Sequence, residues 1–187
     1  MKTEISIKNY KHSFSLGNKI SRLVWSIVYL CLFRPFSSRL FKYWRVFILK
    51  IFKADIQWSS HVYSSVKIWA PWNLKLGKYS TLGPFVDCYN QGKIEIGDNT
   101  VISQKSYMCA SSHDISDPLN NLILKPIKIK DQVWIAANSF IGPGITIGTG
   151  AVVGATSSVF SNIEEWSVVR GNPAQFVKKR ILRGNEK

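Results

Sequence analysis

The sequence predicts a mainly β fold, a parallel β-solenoid with amphipathic helices before it and a short helix after it. Three observations carry this prediction. Branched apolar residues recur at every sixth position through the second half of the chain, apolar side chains fall at helical spacing among basic ones in the first 53 residues, and charge changes sharply between the two regions. The divisions that follow are a basic amphipathic helical segment at 1–55, a solenoid at 56–171 with a loop inserted at 114–126, and a basic helix and tail at 172–187.

A chain of 187 residues with 45% hydrophobic and 13% aromatic content can bury a substantial core, which excludes a wholly disordered chain. Cys31, Cys88 and Cys109 are too few and odd in number for a disulfide scaffold, and no signal-peptide pattern precedes them, so a cytoplasmic location is expected. The net charge of +14 would by itself suit nucleic acid, an anionic membrane or a phosphorylated ligand. Its placement is more informative. Eleven bases and only Glu4 lie in residues 1–53, six bases and one acid lie in 170–187, and the middle holds eight bases against nine acids. No helix-turn-helix, zinc-finger or RNA-binding signature accompanies the charge, which argues against nucleic acid as a partner.

The first helix is expected from about Lys19 to Phe33, ending at Arg34-Pro35 because proline disfavours helical geometry in the residue before it. Its uncharged run, between Arg22 and Arg34, is shorter than the ~20 residues of a membrane span. Ser37 or Ser38 can cap a second helix, with Leu40, Phe41, Trp44, Phe47, Ile48, Ile51 and Phe52 on one side and Arg39, Lys42, Lys50 and Lys53 on the other. Such helices suit peripheral membrane contact through residues 19–53, at the inner face of the membrane. They equally suit packing on the solenoid to cap its open end.

Ile129, Ile135, Ile141, Ile147, Val153 and Val159 keep one six-residue frame, with Ala136, Gly142, Gly148 and Gly154 after four of them. Earlier frames run through Val62, Ile68 and Leu74, then Leu76, Leu82, Cys88 and Ile94, then Ile96, Ile102 and Met108, each shift adding two residues as a bulge would. Neither a helical nor an alternating period gives this spacing. A solenoid does, because one apolar side chain per hexapeptide points into a narrow prism and stacks on the next coil. A small neighbour lets the chain turn the corner.

The stretch IKIKDQVWIAANSFIGPGITIGTGAVVGATSSVF with VVRGNPAQFVKKR resembles the hexapeptide-repeat acetyltransferases, in particular the maltose, galactoside and nodulation acetyltransferases. VDCYN at 86–90, ISQKSYMCASSHD at 102–114 and LFRPFSSRLFKYWR near the N-terminus are similar to the colanic acid biosynthesis acetyltransferases, and the likeness runs from about residue 17 to 183. The resemblance implies a left-handed parallel β-helix, a homotrimer with active sites between subunits, and acetyl-CoA as co-substrate. It also implies a coenzyme groove near Trp134, Ala136, Ala137, Gly154 and Ala155, and a phosphate contact at Lys178. Some members carry serine where Ala137 stands and threonine near Phe160.

The frame stops after Met108 and resumes at Ile127 or Ile129, so Asp114 to Pro126 must leave the prism, with His113 at the mouth of that loop. A positioned neutral imidazole can take the proton of an attacking hydroxyl and return one to the departing thiolate. His113 is the candidate base, the role that the resemblance also implies. Asp114 or a loop carbonyl can hold its other nitrogen. Asp87, Tyr89 and Asn90, flanking the inward Cys88, are expected to project outward and, with Asp114, to grip the acceptor. His12 and His61 read as ordinary polar residues, and three scattered histidines without paired cysteines predict no metal site. The function expected is O-acetylation of a sugar or lipid-linked saccharide in a surface-polysaccharide precursor, by direct attack. N-acetylation of an amino sugar, free or nucleotide-linked, and a non-catalytic scaffold are the alternatives.

Overall fold

All sixteen residues of those six-residue frames are buried, and they stack as the apolar interior of a three-sided parallel β-helix. The computed structural model describes residues 5, 8, 10 and 14–184; His12 and Asn185 lie outside them. One face of the prism is built from Asp55–Ile56, Leu74–Leu76, Ile94–Ile96, Ile127–Ile129 and Thr146–Ile147, all parallel. The second contains His61–Val62, Thr81–Leu82, Val101–Ile102, Trp134–Ile135, Val152–Val153 and Ser167–Arg170. The third contains Lys67–Ile68, Asp87–Tyr89, Tyr107–Cys109, Phe140–Ile141 and Ser158–Val159.

The shifts of frame have one cause. In Leu74–Leu76 and Ile94–Ile96 both end residues point inward, and the two surplus residues are absorbed just before, at the corner between the third and first faces. Pro71–Asn73 forms a short helical turn there, and residues 90–93 fill the same corner one coil on. The insertion after Cys109 leaves from that corner too. The other two corners keep a constant turn, whose second residue is left-handed at Tyr79, Asn99 and Gln132 on one edge and at Phe85, Lys105, Asn138 and Thr156 on the other. At Gly97 a Cβ would lie 2.8 Å from the backbone nitrogen of Asp131, so only glycine lets adjacent coils approach so closely there.

Both N-terminal helices form, close to the expected limits. Ser15 caps α1, Leu16–Val28, which continues as a wider turn over Tyr29–Phe33 to the Arg34-Pro35 stop. Ser38 caps a tight turn at Arg39–Phe41 that leads into α2, Lys42–Ile51. Trp25, Phe33, Val46 and Leu49 are buried in one cluster with Ile56, Val62 and Ile68, so the helices cover the first coil. The Trp25 indole N–H donates to the Ile68 carbonyl at 2.7 Å. Buried Arg45 donates to the carbonyls of Val62, Phe36 and Ser38 at 2.8, 2.6 and 3.0 Å, tying the interhelical link to the solenoid.

Among the described residues the expected C-terminal helix does not form. After Gly171 the chain turns back, and Gln175–Lys179 runs antiparallel along Ser167–Arg170. Helix-start chemistry at Asn172-Pro173 is outweighed by backbone pairing, because Ser167–Arg170 would otherwise leave its outer N–H and C=O groups without a strand partner. Arg180 continues the attachment, donating to the carbonyls of Gln132 and Gly150 at 2.9 and 3.0 Å.

Candidate active site

The insertion after Cys109 is a β-hairpin. Ser111–His113 pairs antiparallel with Leu122–Leu124, setting His113 opposite Leu122 at the hairpin's far end. Asp117 shapes the turn: its carboxylate accepts the Leu119 N–H at 2.9 Å and the Asn121 side-chain amide, and these bonds hold its carboxyl below the usual carboxylate range. Asp114 accepts the Ser116 N–H at 3.0 Å and so serves the turn; it makes no bond to His113.

His113 is exposed, and its Nδ1 lies 2.6 Å from the carbonyl oxygen of Asn120. A carbonyl can only accept, so Nδ1 carries the proton and Nε2 keeps a free lone pair. The loop carbonyl, rather than Asp114, is therefore the orienting group. The imidazole borders a cleft of about 390 Å³ lined by Tyr10, Phe14, Tyr89, Gln91, Cys109, Ser111, Ser112 and Leu122.

The acceptor-binding candidates divide. Asp87 and Tyr89 are half-buried on the outer side of the third face. Burial raises the Asp87 carboxyl above its usual range, with nearby Lys67 opposing. Asn90 does not project outward. It is fully buried, accepting the Ala70 N–H at 3.0 Å and donating to the Ala70 carbonyl at 2.6 Å, because the lengthened corner turns it inward. Gln91, the next residue, reaches the cleft instead. Its Nε2 donates to the Tyr89 hydroxyl at 2.9 Å and its buried Oε1 has no partner among the described residues. The two-residue surplus visible in the sequence was the signal that could have found Gln91.

The six coenzyme candidates lie together, away from His113. Trp134 is exposed on the second face and donates to Ser103 Oγ at 3.0 Å. The Ala136 N–H donates to the Val153 carbonyl and the Thr156 N–H to the Ala137 carbonyl, which stacks Ala136 and Ala137 beside Gly154 and Ala155 at the following corner. Trp134, Val152, Val168 and Lys178 share one row across the sheet. Lys178 thus stays beside this surface on a strand. Within one chain, the width of the third face separates these residues from the hairpin corner.

Of the three thiols, Cys31 is exposed on the helical segment, Cys88 is buried, and Cys109 borders the cleft. Burial pushes the Cys88 thiol far up and keeps it protonated. Cys109 donates to the Ser111 carbonyl at 3.3 Å. Among the described residues, no three His, Cys, Asp or Glu side chains converge as metal ligands would.

No family model matches the chain. Individual relatives do. The chain is 42% identical over 168 residues to the Escherichia coli protein WcaF, named as a colanic acid biosynthesis acetyltransferase, covering 90% of this chain and 92% of that protein. It is 34% identical over 98 residues to the Escherichia coli protein WbbJ, named as a lipopolysaccharide biosynthesis O-acetyl transferase, covering 46% of this chain and 50% of that one. Among solved structures, a maltose O-acetyltransferase from Clostridium difficile superposes with a TM-score of 0.79 at 26% identity over 90% of both chains. A Vibrio cholerae hexapeptide-repeat acetyltransferase complexed with acetyl coenzyme A has the same fold, with a TM-score of 0.77 at 22% identity over 91% of this chain and 92% of that one. A hexapeptide solenoid with a histidine hairpin at one corner, matched along nearly its whole length by such a relative, places this chain in the colanic acid biosynthesis acetyltransferase family of hexapeptide-repeat acetyltransferases.

Proposed function

We propose that the protein transfers acetyl from acetyl-CoA to a hydroxyl of a sugar or lipid-linked saccharide, a precursor of a surface polysaccharide, with His113 as general base. The observation that carries this reading is the Asn120 carbonyl on Nδ1, which leaves Nε2 basic and open beside the cleft. Nε2 takes the hydroxyl proton as the oxygen attacks the thioester carbonyl. The tetrahedral intermediate then expels the coenzyme thiolate, and the imidazolium returns the proton to sulfur. No acyl-enzyme is needed. Tyr89 and Gln91 border the space for the acceptor, with Asp87 two residues before Tyr89 on the same side of its strand, and the partnerless Gln91 oxygen suits a sugar hydroxyl as donor.

The surface near Trp134, Ala136, Ala137, Gly154, Ala155 and Lys178 suits the pantetheine arm and phosphates, since small side chains let an extended ligand reach backbone groups there. The family resemblance implies a homotrimer, and the separation of this surface from His113 within one chain fits an arrangement in which one subunit's hairpin faces the next subunit's coenzyme surface. The cytoplasm, where acetyl-CoA is made available, is the proposed location.

His113→Ala is expected to cut turnover by at least about a hundredfold while leaving coenzyme affinity nearly unchanged. Mass spectrometry of a saccharide pool incubated with labelled acetyl-CoA identifies the acceptor, and alkaline lability of the label shows an ester rather than an amide. Undiminished turnover in the variant rejects the mechanism.

A further inference from the structure

The solenoid covers one side of each N-terminal helix and leaves the other side bare. Trp25, Tyr29 and Phe33 pack inward together, and Arg22 lies 3.8 Å over the Trp69 ring. On the opposite side Leu16, Ile20, Leu23, Val24, Ile27 and Leu30 are exposed, Leu23 by 64% and Ile27 by 56%. Their spacing of three and four residues aligns them in one stripe. In α2, Arg45, Val46, Ile48 and Leu49 are buried while Tyr43, Phe47 and Ile51 are exposed. The two exposed stripes meet, because Ile20 and Val24 of α1 and Ile51 of α2 line one groove of about 550 Å³ with Trp72. A second apolar stripe on a helix already anchored through its first is not required by the fold, and a contiguous patch of this kind marks an interaction surface.

The rim of the patch identifies its partner. Lys19, Arg34, Arg39 and Lys53 are exposed around it, Lys50 is half-buried, and no Asp or Glu occurs between residues 5 and 54. We propose that this face docks on an anionic phospholipid surface, with the aliphatic and aromatic side chains entering the headgroup boundary and the cations meeting the headgroups. A second copy joined through the same face about a two-fold axis would bring two such rims of cations together. The helix lies on the bilayer rather than across it. By length and composition the 18 residues from Leu16 to Phe33 would suffice to cross a membrane, but the Trp25 bond to Ile68 and the burial of Trp25 and Phe33 hold the inner side of the helix on the solenoid. Docking goes beyond the acetyl-transfer reading and would set the hairpin corner near lipid-linked acceptors.

Flotation of the full-length protein tests it, using vesicles of phosphatidylcholine alone and vesicles containing about one-third phosphatidylglycerol. Binding to the anionic vesicles is expected to exceed binding to neutral ones by at least about tenfold and to fall at high salt. The double variant L23E/I27E, on the exposed stripe, is expected to lose flotation while keeping its oligomeric state, its melting temperature and its acetylation of a soluble acceptor. Failure of the wild type to float with anionic vesicles overturns the proposal without any variant, as does equal flotation of L23E/I27E. A change of oligomeric state in the variant assigns the face to a second copy and overturns it too. Loss of acetylation by His113→Ala with flotation intact separates this test from that of the chemistry.

Discussion

The imidazole of His113 and the carbonyl of Asn120 face each other across the hairpin turn, 2.6 Å apart, with Asn120 in the left-handed region at a φ of 50°. A backbone dipole, not a carboxylate, therefore fixes the tautomer of the candidate base. Orientation comes from a neutral group that can only accept a hydrogen bond.

Asn120→Val places a β-branched side chain at a positive φ that it tolerates poorly, which should displace that carbonyl. Turnover is expected to fall by roughly 10- to 100-fold with the KM for acetyl-CoA unchanged, the pattern of a misplaced base rather than a damaged coenzyme surface. Asn120→Gly, which accepts the same φ, should retain most activity. Steady-state kinetics on the three proteins checks the split.

Arg45→Met removes a buried guanidinium and its bonds to the carbonyls of Val62, Phe36 and Ser38, of which the Val62 bond is buried and Ser38 keeps the Phe41 N–H. A loss of about 2 kcal/mol in unfolding free energy is expected by chemical denaturation, chiefly from the buried Val62 acceptor left unsatisfied. Arg45→Lys should not restore it, because one ammonium lacks the planar fork that reaches all three.

His61 gives a pH dependence. Burial first, then the positive charges of Arg45, Lys42 and Arg39, push its imidazole below the ordinary 6.5. Just below that pH the unfolded chain binds more protons than the folded one, so stability is full above pH 6.5 and declines as pH falls through the lowered folded value. The denaturation midpoint of His61→Gln is expected to decline less than that of the wild type over the same acid range.

Much of this architecture was legible in the sequence, because each coil repeats one simple requirement, an apolar side chain pointing into a narrow prism. Val62, Cys88 and Met108 obeyed it even where the frame shifted. The hairpin was legible as a gap in the frame, and His113 as the histidine at its mouth. What pattern could not supply was the content of corners and ends. Asn90 follows an outward residue and still turns inward, since the corner there is two residues longer. The orienting carbonyl of Asn120 depends on a turn geometry that no side-chain type announces. Gln175–Lys179 has a helix-like beginning in Asn172-Pro173, yet its conformation is decided by the strand beside it, a non-local partner invisible to local signals.

That last strand also closes the end of the second face. A stack of parallel coils has no intrinsic stopping point, and its final rung would template further chains as a growing fibril does. By doubling back, Gln175–Lys179 gives the second face a reversed outer strand, with Lys178 exposed and Lys179 paired to Glu164. Removal of residues 172–187 is therefore a change in colloidal behaviour as much as in ligand contact, and the truncated chain should associate end to end.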